Sequence, residues 1–582
     1  MADALQLEHS IPSLSAGNIV SVAFQVYQQQ RGVYFTKSLL AHLWVYLTLI
    51  GLVGVGMLAV GVMSAMVSDV LSEMMQLQIM LVVALMVTLL VLHALGRFWA
   101  AGGLLSRVAF LSLQGQVEPD EVARTQIFGR SWSYLLAVLI TGLLLLLMYG
   151  GIALSGYIIF VTTLPLWEMG WAAIDDLETG FLFFTVLSLL GLGLLLGLGL
   201  LTYYVTARLW LFDVVLAVEE GVSPWEAVLR SWQVTHGHGW KMTAILFTGT
   251  LVTMPILMVA TLFNFFVPVA SIVVNILLFP LWQVTKAVAY HDLVSVREGL
   301  TFDLTLAAPH PRESLRRVAL QTPESVSLDF ALGGIGSRAL AWFLDQALIG
   351  LGVMLFWYVG ALVYFYALLP GLTEMLAVDV DTLNLWGVAI AALLTYAFSN
   401  GYYIAFETLW RGQTPGKRFA QIRVICDNGQ PVSIREASLR SLMGPLDLGL
   451  FWIGVLLIIG SRSEKRLGDM AAGTLVIQDE KTVTRQRGTS DPPHSSSAQR
   501  VADQMVSQDW LRDLTLDQYL ILRNFLAYQH QLSKSHRRQV TLRLTQQLQS
   551  LMAADTPRYP FEIGDPDLIV ATYLAYRQVH HL

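Results

Sequence analysis

The sequence predicts an all-α polytopic membrane protein with eight spanning helices, a re-entrant helix pair, a small cytoplasmic β element and a C-terminal soluble helical module. Three observations predict it. Of the 582 residues, 55% are hydrophobic and 13% charged, with a mean hydropathy of +0.58; in soluble chains charged residues reach about a quarter. Apolar windows long enough to cross a hydrocarbon core of about 30 Å recur along the chain. The loops between them alternate in charge, so the formal net charge of −6 is a sum over two faces and names no partner.

The windows centre on residues 39–63, 77–96, 133–160, 181–206, 243–265, 268–290, 339–368 and 385–406. The first long apolar run begins near Leu39 and has no short stretch with a cleavage site before it, so it reads as a mature membrane helix. Loops 64–76, 164–180 and 370–384 carry acids such as Asp69, Asp175 and Asp379 and no Lys or Arg. The intervening loops hold Arg97, Arg107, Arg124 and Arg130, then Arg208, Arg230 and Lys241, then Arg312, Arg316 and Arg317, then Arg411, Lys417, Arg418 and Arg423. By the positive-inside rule the basic loops and both termini are cytoplasmic, in a bacterial plasma (inner) membrane.

A ninth apolar segment, 437–460, carries Pro445 and Asp447 at its middle. A full crossing would put Lys465 and Arg466 outside, against the charge rule. A broken, re-entrant pair resolves the conflict. It also keeps Ile422–Ile425 and Thr474–Ile477 on one side, where they can pair as strands, with Asp427-Asn-Gly429 as turn chemistry. The competing arrangement is a plain ninth crossing with an extracytoplasmic tail.

Four regions follow: a six-helix membrane domain (1–310), a second membrane domain (326–480), a Ser/Pro/Gln-biased linker (481–505) and a cytoplasmic helical domain (506–582). In the first, Ser223-Pro-Trp-Glu226 is a capping box with proline at N1, and Trp225, Ala227, Val228 and Trp232 supply an apolar face. In the last, Thr515-Leu-Asp-Gln518, Ser533 and Asp565-Pro-Asp567 open three helices. A unit of this size barely makes its own core, so docking onto membrane or cytoplasmic protein partners is expected.

The most informative residues are Arg338 and Asp345, seven apart at the mouth of an apolar run. Seven helical residues make nearly two turns and rise about 10 Å, so both lie on one stripe with Asp345 at hydrocarbon depth. A carboxylate there costs about 2.5–3.5 kcal/mol on insertion scales unless it is paired, protonated or wet. One reading is a working ionisable site; the other is a structural pair that fixes helix packing. Asp469, beside Lys465 and Arg466, reads as a second charge site or a helix-to-loop salt bridge, and Asp447 stands out by depth alone.

With Gly336-Ser-Arg338 and Asp345, the blocks Gln413-Thr-Pro-Gly-Lys-Arg418 and Arg466-Leu-Gly-Asp469 closely resemble the RDD family of membrane proteins, named for one arginine and two aspartates. Arg338 matches the family arginine, Asp345 its first aspartate and Asp469 its second, over about residues 326–480. The resemblance implies a membrane domain of a family that includes proteins linked to cation/proton antiport. Separately, Glu220-Gly-Val-Ser-Pro-Trp-Glu-Ala-Val-Leu-Arg-Ser-Trp232 and Ala289-Tyr-His-Asp292 resemble the six-helix membrane domain of glycerophosphodiester phosphodiesterases, whose catalytic barrel has no counterpart here.

Several patterns are set aside. Gly412-Gln-Thr-Pro-Gly-Lys417 has three residues where a phosphate loop has four, and Arg418 where Ser or Thr belongs. His236-Gly-His238 offers two ligands that do not share a helix face, so no metal is expected. Cys426 is the only cysteine, which excludes an intrachain disulfide. Gly193 and Gly197 fit a close-packing helix motif or an intramolecular contact. No catalytic constellation appears, and neither a cofactor nor a nucleic-acid partner is expected. The favoured function is transport-related (cation/proton or small solute): Asp345 takes up a proton or cation, Arg338 tunes it and Asp469 forms an inner gate. The alternative is a non-catalytic membrane scaffold or assembly factor.

Overall fold

A computed structural model describes residues 14–66, 73–173, 177–267, 269–298, 316–321, 327–369, 371, 380–449, 457–458, 461, 463–479, 496–507, 514–529, 532, 534–552 and 564–580. Eight of its helices are long and apolar enough to cross a membrane. They are α2 (Arg31–Met66), α3 (Glu73–Leu113), α5 (Ser131–Ala173), α6 (Leu177–Leu209), α9 (Gly239–Phe263), α10 (Ala270–Glu298), α11 (Ile335–Val363) and α12 (Val380–Leu409). Each coincides with one predicted window. Several overshoot it: α3 has 41 residues, about 60 Å of helix, twice the hydrocarbon thickness.

The overshoot locates the core. Mid-helix residues such as Leu85, Leu139, Leu146 and Leu147 are at least half exposed, as expected where lipid is as good a solvent as leucine. Burial concentrates beyond them, at one end of the bundle. There Leu104, Leu105, Phe110, Val284 and Leu293 enclose two short helices, α7 (Phe212–Val218) and α8 (Pro224–Val234), in one cluster. The capping box of α8 is formed in both directions, Ser223 N–H to Glu226 Oε2 at 2.8 Å and Glu226 N–H to Ser223 Oγ at 3.3 Å. Its buried face is Ala227, Val228, Ser231 and Val234, while Trp225 and Trp232 lie outside it. In the same core Lys286 meets Asp213 at 2.5 Å between Trp99 and Trp210, and α4 (Asp120–Gly129) closes the edge. A Cβ at Gly193 or Gly197 meets nothing within 4 Å, so among the described residues neither glycine serves a close helix contact.

One helix unpredicted by the windows joins the two membrane domains. α1 (Ala16–Gln29) packs against α9, α10 and α11. A Cβ at Gly17 would sit 2.6 Å from Ser337 Cα, and one at Gly336 would sit 2.4 Å from the Gly17 carbonyl oxygen, so this crossing requires glycine on both sides. Asn18 Oδ1 accepts from Ser337 Oγ at 2.6 Å and from Gln478 Nε2 at 2.7 Å, and Ser21 Oγ accepts from Gly336 N–H at 3.1 Å.

Among the described residues two antiparallel ribbons cap the second domain where one was expected. β1 (Arg317–Gln321) pairs with β2 (Ser327–Ala331), a ribbon absent from the sequence reading. β3 (Ile422–Cys426) pairs with β4 (Thr474–Gln478) from Ile422↔Gln478 to Cys426↔Thr474, and Gly429 completes the turn after β3 at φ +80°. α13 (Pro415–Phe419) precedes β3, and α14 (Ile434–Leu442), α15 (Gly444–Gly449) and α16 (Leu467–Ala472) lie between β3 and β4. The described part of the ninth segment is thus two short helices broken at Met443; residues 450–456 lie outside the described residues.

Among the described residues the C-terminal module has four helices, one more than expected: α17 (Ser496–Ser507), α18 (Leu516–Tyr528), α19 (Lys534–Met552) and α20 (Asp565–His580). α17 begins inside the segment read as linker, because Ala498, Ala502 and Met505 are needed to cover α20. Leu522, Phe525, Leu544, Leu548 and Ile569 complete a core separate from that of the membrane domains.

Candidate functional site

Arg338 and Asp345 share a stripe of α11 but not a bond. Arg338 Nη1 donates to Asp469 Oδ2 at 2.8 Å and its Nε to the Gly333 carbonyl at 2.7 Å. Asp345 is 1% exposed and accepts from Tyr402 Oη at 2.8 Å, Thr414 Oγ1 at 2.6 Å and Gly416 N–H at 2.8 Å. The pairing expected from sequence spacing is therefore replaced by two separate arrangements. The reason is direction: the guanidinium runs back along α11 toward its N-terminus, where α16 meets it, while Asp345 points at the loop after α12.

That loop explains the glycine-rich motif without nucleotide chemistry. A Cβ at Gly416 would lie 2.2 Å from the Ala341 carbonyl oxygen and 2.8 Å from the Asp345 carboxylate. Thr414 caps α13 through Lys417 N–H while its hydroxyl donates to Asp345. Gly and Thr are therefore needed so that a loop can press against a transmembrane carboxylate and satisfy it.

Asp469 is fully buried at the start of α16. It faces Arg338 at 2.8 Å, Arg440 at 2.7 Å and Arg466 at 3.4 Å. Burial pushes its carboxyl up, but Arg440, Arg338 and Arg466 outweigh burial and hold it well below the ordinary carboxylate range. Arg440, 2% exposed on α14, also reaches Glu407 at 3.3 Å and donates to Thr474 Oγ1 at 2.7 Å. Glu407 in turn pairs with Lys417, whose ammonium burial pushes below its ordinary range against the raising effect of Glu407. Asp447 accepts from the N–H groups of Leu467 and Gly468 at 3.1 and 3.3 Å, so it caps α16.

Around these groups lies a cavity of about 360 Å³. Arg338, Asp345, Glu407, Lys417, Arg440, Asp447 and Arg466 line it, with apolar walls that include Leu251 and Val252 of α9, Ile335, Trp342 and Ile458. With Asp469 behind the wall, the cluster has four basic and four acidic groups. The structure thus gathers Arg338, Asp345, Asp447 and Asp469 about one cavity. Sequence reasoning missed Glu407, Lys417, Arg440 and Arg466 as members. Glu407 interrupts an apolar run at the end of a spanning window, a signal of the same kind as Asp345; Lys417 counted only as a loop charge, and Arg440 lies at the start of the ninth apolar segment.

Fold and site together define a polytopic membrane protein with a charged cavity where two helical units meet. Residues 332–473 match the RDD family, so the second unit carries an RDD family domain. The uncharacterised protein YckC of Bacillus subtilis (strain 168) is similar, with 38% identity over 80 residues, 13% of this chain and 53% of YckC. The chain spans about half the length of that curated relative. No solved structure matches.

Proposed function

We propose that this chain is a non-enzymatic, multi-pass protein of a bacterial plasma membrane, with cytoplasmic termini, whose RDD domain binds a small solute or ion in the charged cavity as a step of transport. The observation that carries the reading is the cavity itself. It brings ionisable groups from α11, α12, α13 and α14 to the foot of spanning helices, against α9 of the other unit. Buried charges in a membrane domain are costly and mark solute pathways. In this proposal Asp345, satisfied by three donors and not bonded to Arg338, anchors the 412–417 loop. The Asp469 block closes the cavity on its ribbon side and is the candidate gate. The likeness of the first unit to phosphodiesterase membrane domains adds only a membrane role.

Flux in proteoliposomes tests this. Proton, sodium and potassium gradients are followed with indicator dyes, and labelled organic acids and amines by filtration. Ser399→Trp fills the cavity from α12. Transport of at least one solute is expected, falling at least about tenfold in Ser399→Trp while thermal stability holds. Undiminished flux through the filled cavity overturns the reading. A scaffold role is favoured by one observation, the four-helix module with its own core, and predicts partner proteins that co-purify with the full chain but not after removal of residues 496–582.

A further inference from the structure

The cavity's carboxylates are each held by a hydrogen bond or an ion pair, although Glu407 Oε2 and Asp469 Oδ1 meet Arg440 at ion-pair distance without a hydrogen bond of their own. Asp345 has three donors, Asp447 has two backbone N–H groups with Arg466 at 3.6 Å, and Glu407 has Lys417 and Arg440. Asp469 Oδ1 lies 2.7 Å from Arg440, and Arg440 Nε faces Glu407 Oε2 at 3.3 Å. Among the buried wall donors without a hydrogen-bond partner among the described residues, Arg440 Nε faces the Glu407 carboxylate, which leaves Arg338 Nη2, on a side chain 10% exposed, and Tyr403 Oη as the donors open to a ligand. A buried donor left unpaired costs about 1–3 kcal/mol, so a ligand that supplies acceptor oxygens at both points relieves that cost.

We propose that the cavity takes a small monocarboxylate with an apolar body, its oxygens accepting from Arg338 Nη2 and Tyr403 Oη. The inference rests on the solute-site reading above and names its substrate class. A carboxylate suits a guanidinium whose other two nitrogens are already fixed, on Asp469 and on Gly333. The near balance of charge around the cavity disfavours a dianion, which would bury an uncompensated charge. Ile335, Trp342, Ile458, Leu251 and Val252 provide the apolar enclosure for the body. A cationic amine would have to compete with the protein's own partners of each wall carboxylate, Lys417 and Arg440 at Glu407 among them.

The test is calorimetric titration of the full chain in mild detergent with benzoate, benzamide and benzylamine, which share one body and differ in charge. Benzoate is expected to bind saturably and at least about tenfold more tightly than benzamide, and benzylamine not at all. Tyr403→Phe removes a hydroxyl that has no partner to lose, so thermal stability should hold while benzoate binding weakens about tenfold; Ser399→Trp should abolish binding. Equal binding of benzoate and benzamide, preference for benzylamine, or benzoate binding unchanged in Tyr403→Phe overturns the carboxylate assignment and leaves a solute site standing. Absence of binding by all three overturns the assignment, and flux of an inorganic cation in the same preparation then shows whether the cavity reading survives. Benzoate binding without flux of any solute supports the assignment and removes transport instead.

Discussion

Arg338, Asp345 and Asp469 were all visible in the sequence as charges out of place, and their partners were not. Helical spacing tells which residues share a stripe; it does not tell which side chains from elsewhere in the chain arrive there. Asp469 sits in a basic stretch where an exposed salt bridge with Lys465 was an ordinary expectation, yet Lys465 goes to Asp427 and Asp469 is 0% exposed beneath three arginines. Removing its charge leaves those guanidinium groups buried with too little counter-charge. Asp469→Asn should cost about 3–5 kcal/mol, measured by equilibrium unfolding in mixed micelles. The sign of the pH dependence follows from the depressed folded value: the stabilisation is fully present above an unfolded carboxylate pKa of about 4 and is lost as pH falls through the folded one. The gap between wild type and Asp469→Asn should therefore be widest near neutral pH and close on acidification. A constant gap across that range removes the ion cluster as its cause.

At the scale of elements, the spanning helices were legible because each is a long apolar run, and the α8 and α18 starts because capping boxes are local. The β3–β4 pairing was legible through charge sidedness and turn chemistry. What was lost depends on tertiary partners. α1 carries Asn18, Ser21 and Gln25 on a face that is buried only because Ser337, Gln478, Gly336 and Glu464 meet it. The β1–β2 ribbon is only five residues a side and packs Val318, Leu320 and Phe330 on the β3–β4 ribbon, and the C-terminal module recruits its first helix from a segment whose composition reads as linker. The α1–α11 crossing gives a test at this scale. Gly336→Ala places a methyl 2.4 Å from the Gly17 carbonyl oxygen, a backbone atom that has little room to yield. Its cost should be at least about 1–3 kcal/mol, with hydrogen exchange increasing across α1. Wild-type protection of α1 in Gly336→Ala contradicts the close crossing.

For the whole molecule, the charge cluster closes the RDD domain on itself. Arg338 comes from α11, Glu407 from α12, Lys417 from α13, Arg440 from α14, and Arg466 and Asp469 from the start of α16, so more than a hundred residues of chain are brought back to one place. α1 then fastens that closed unit to the six-helix domain, and the cavity lies at the join. The pair that makes this closure is Arg338 with Asp469. A double-mutant cycle measured by equilibrium unfolding in mixed micelles decides it, comparing Arg338→Gln combined with Asp469→Asn against Arg338→Gln combined with Asp345→Asn. A coupling of at least about 1.5 kcal/mol is expected for the first pair and additivity within about 0.5 kcal/mol for the second. Additivity between Arg338 and Asp469, with strong coupling between Arg338 and Asp345, would contradict this closure.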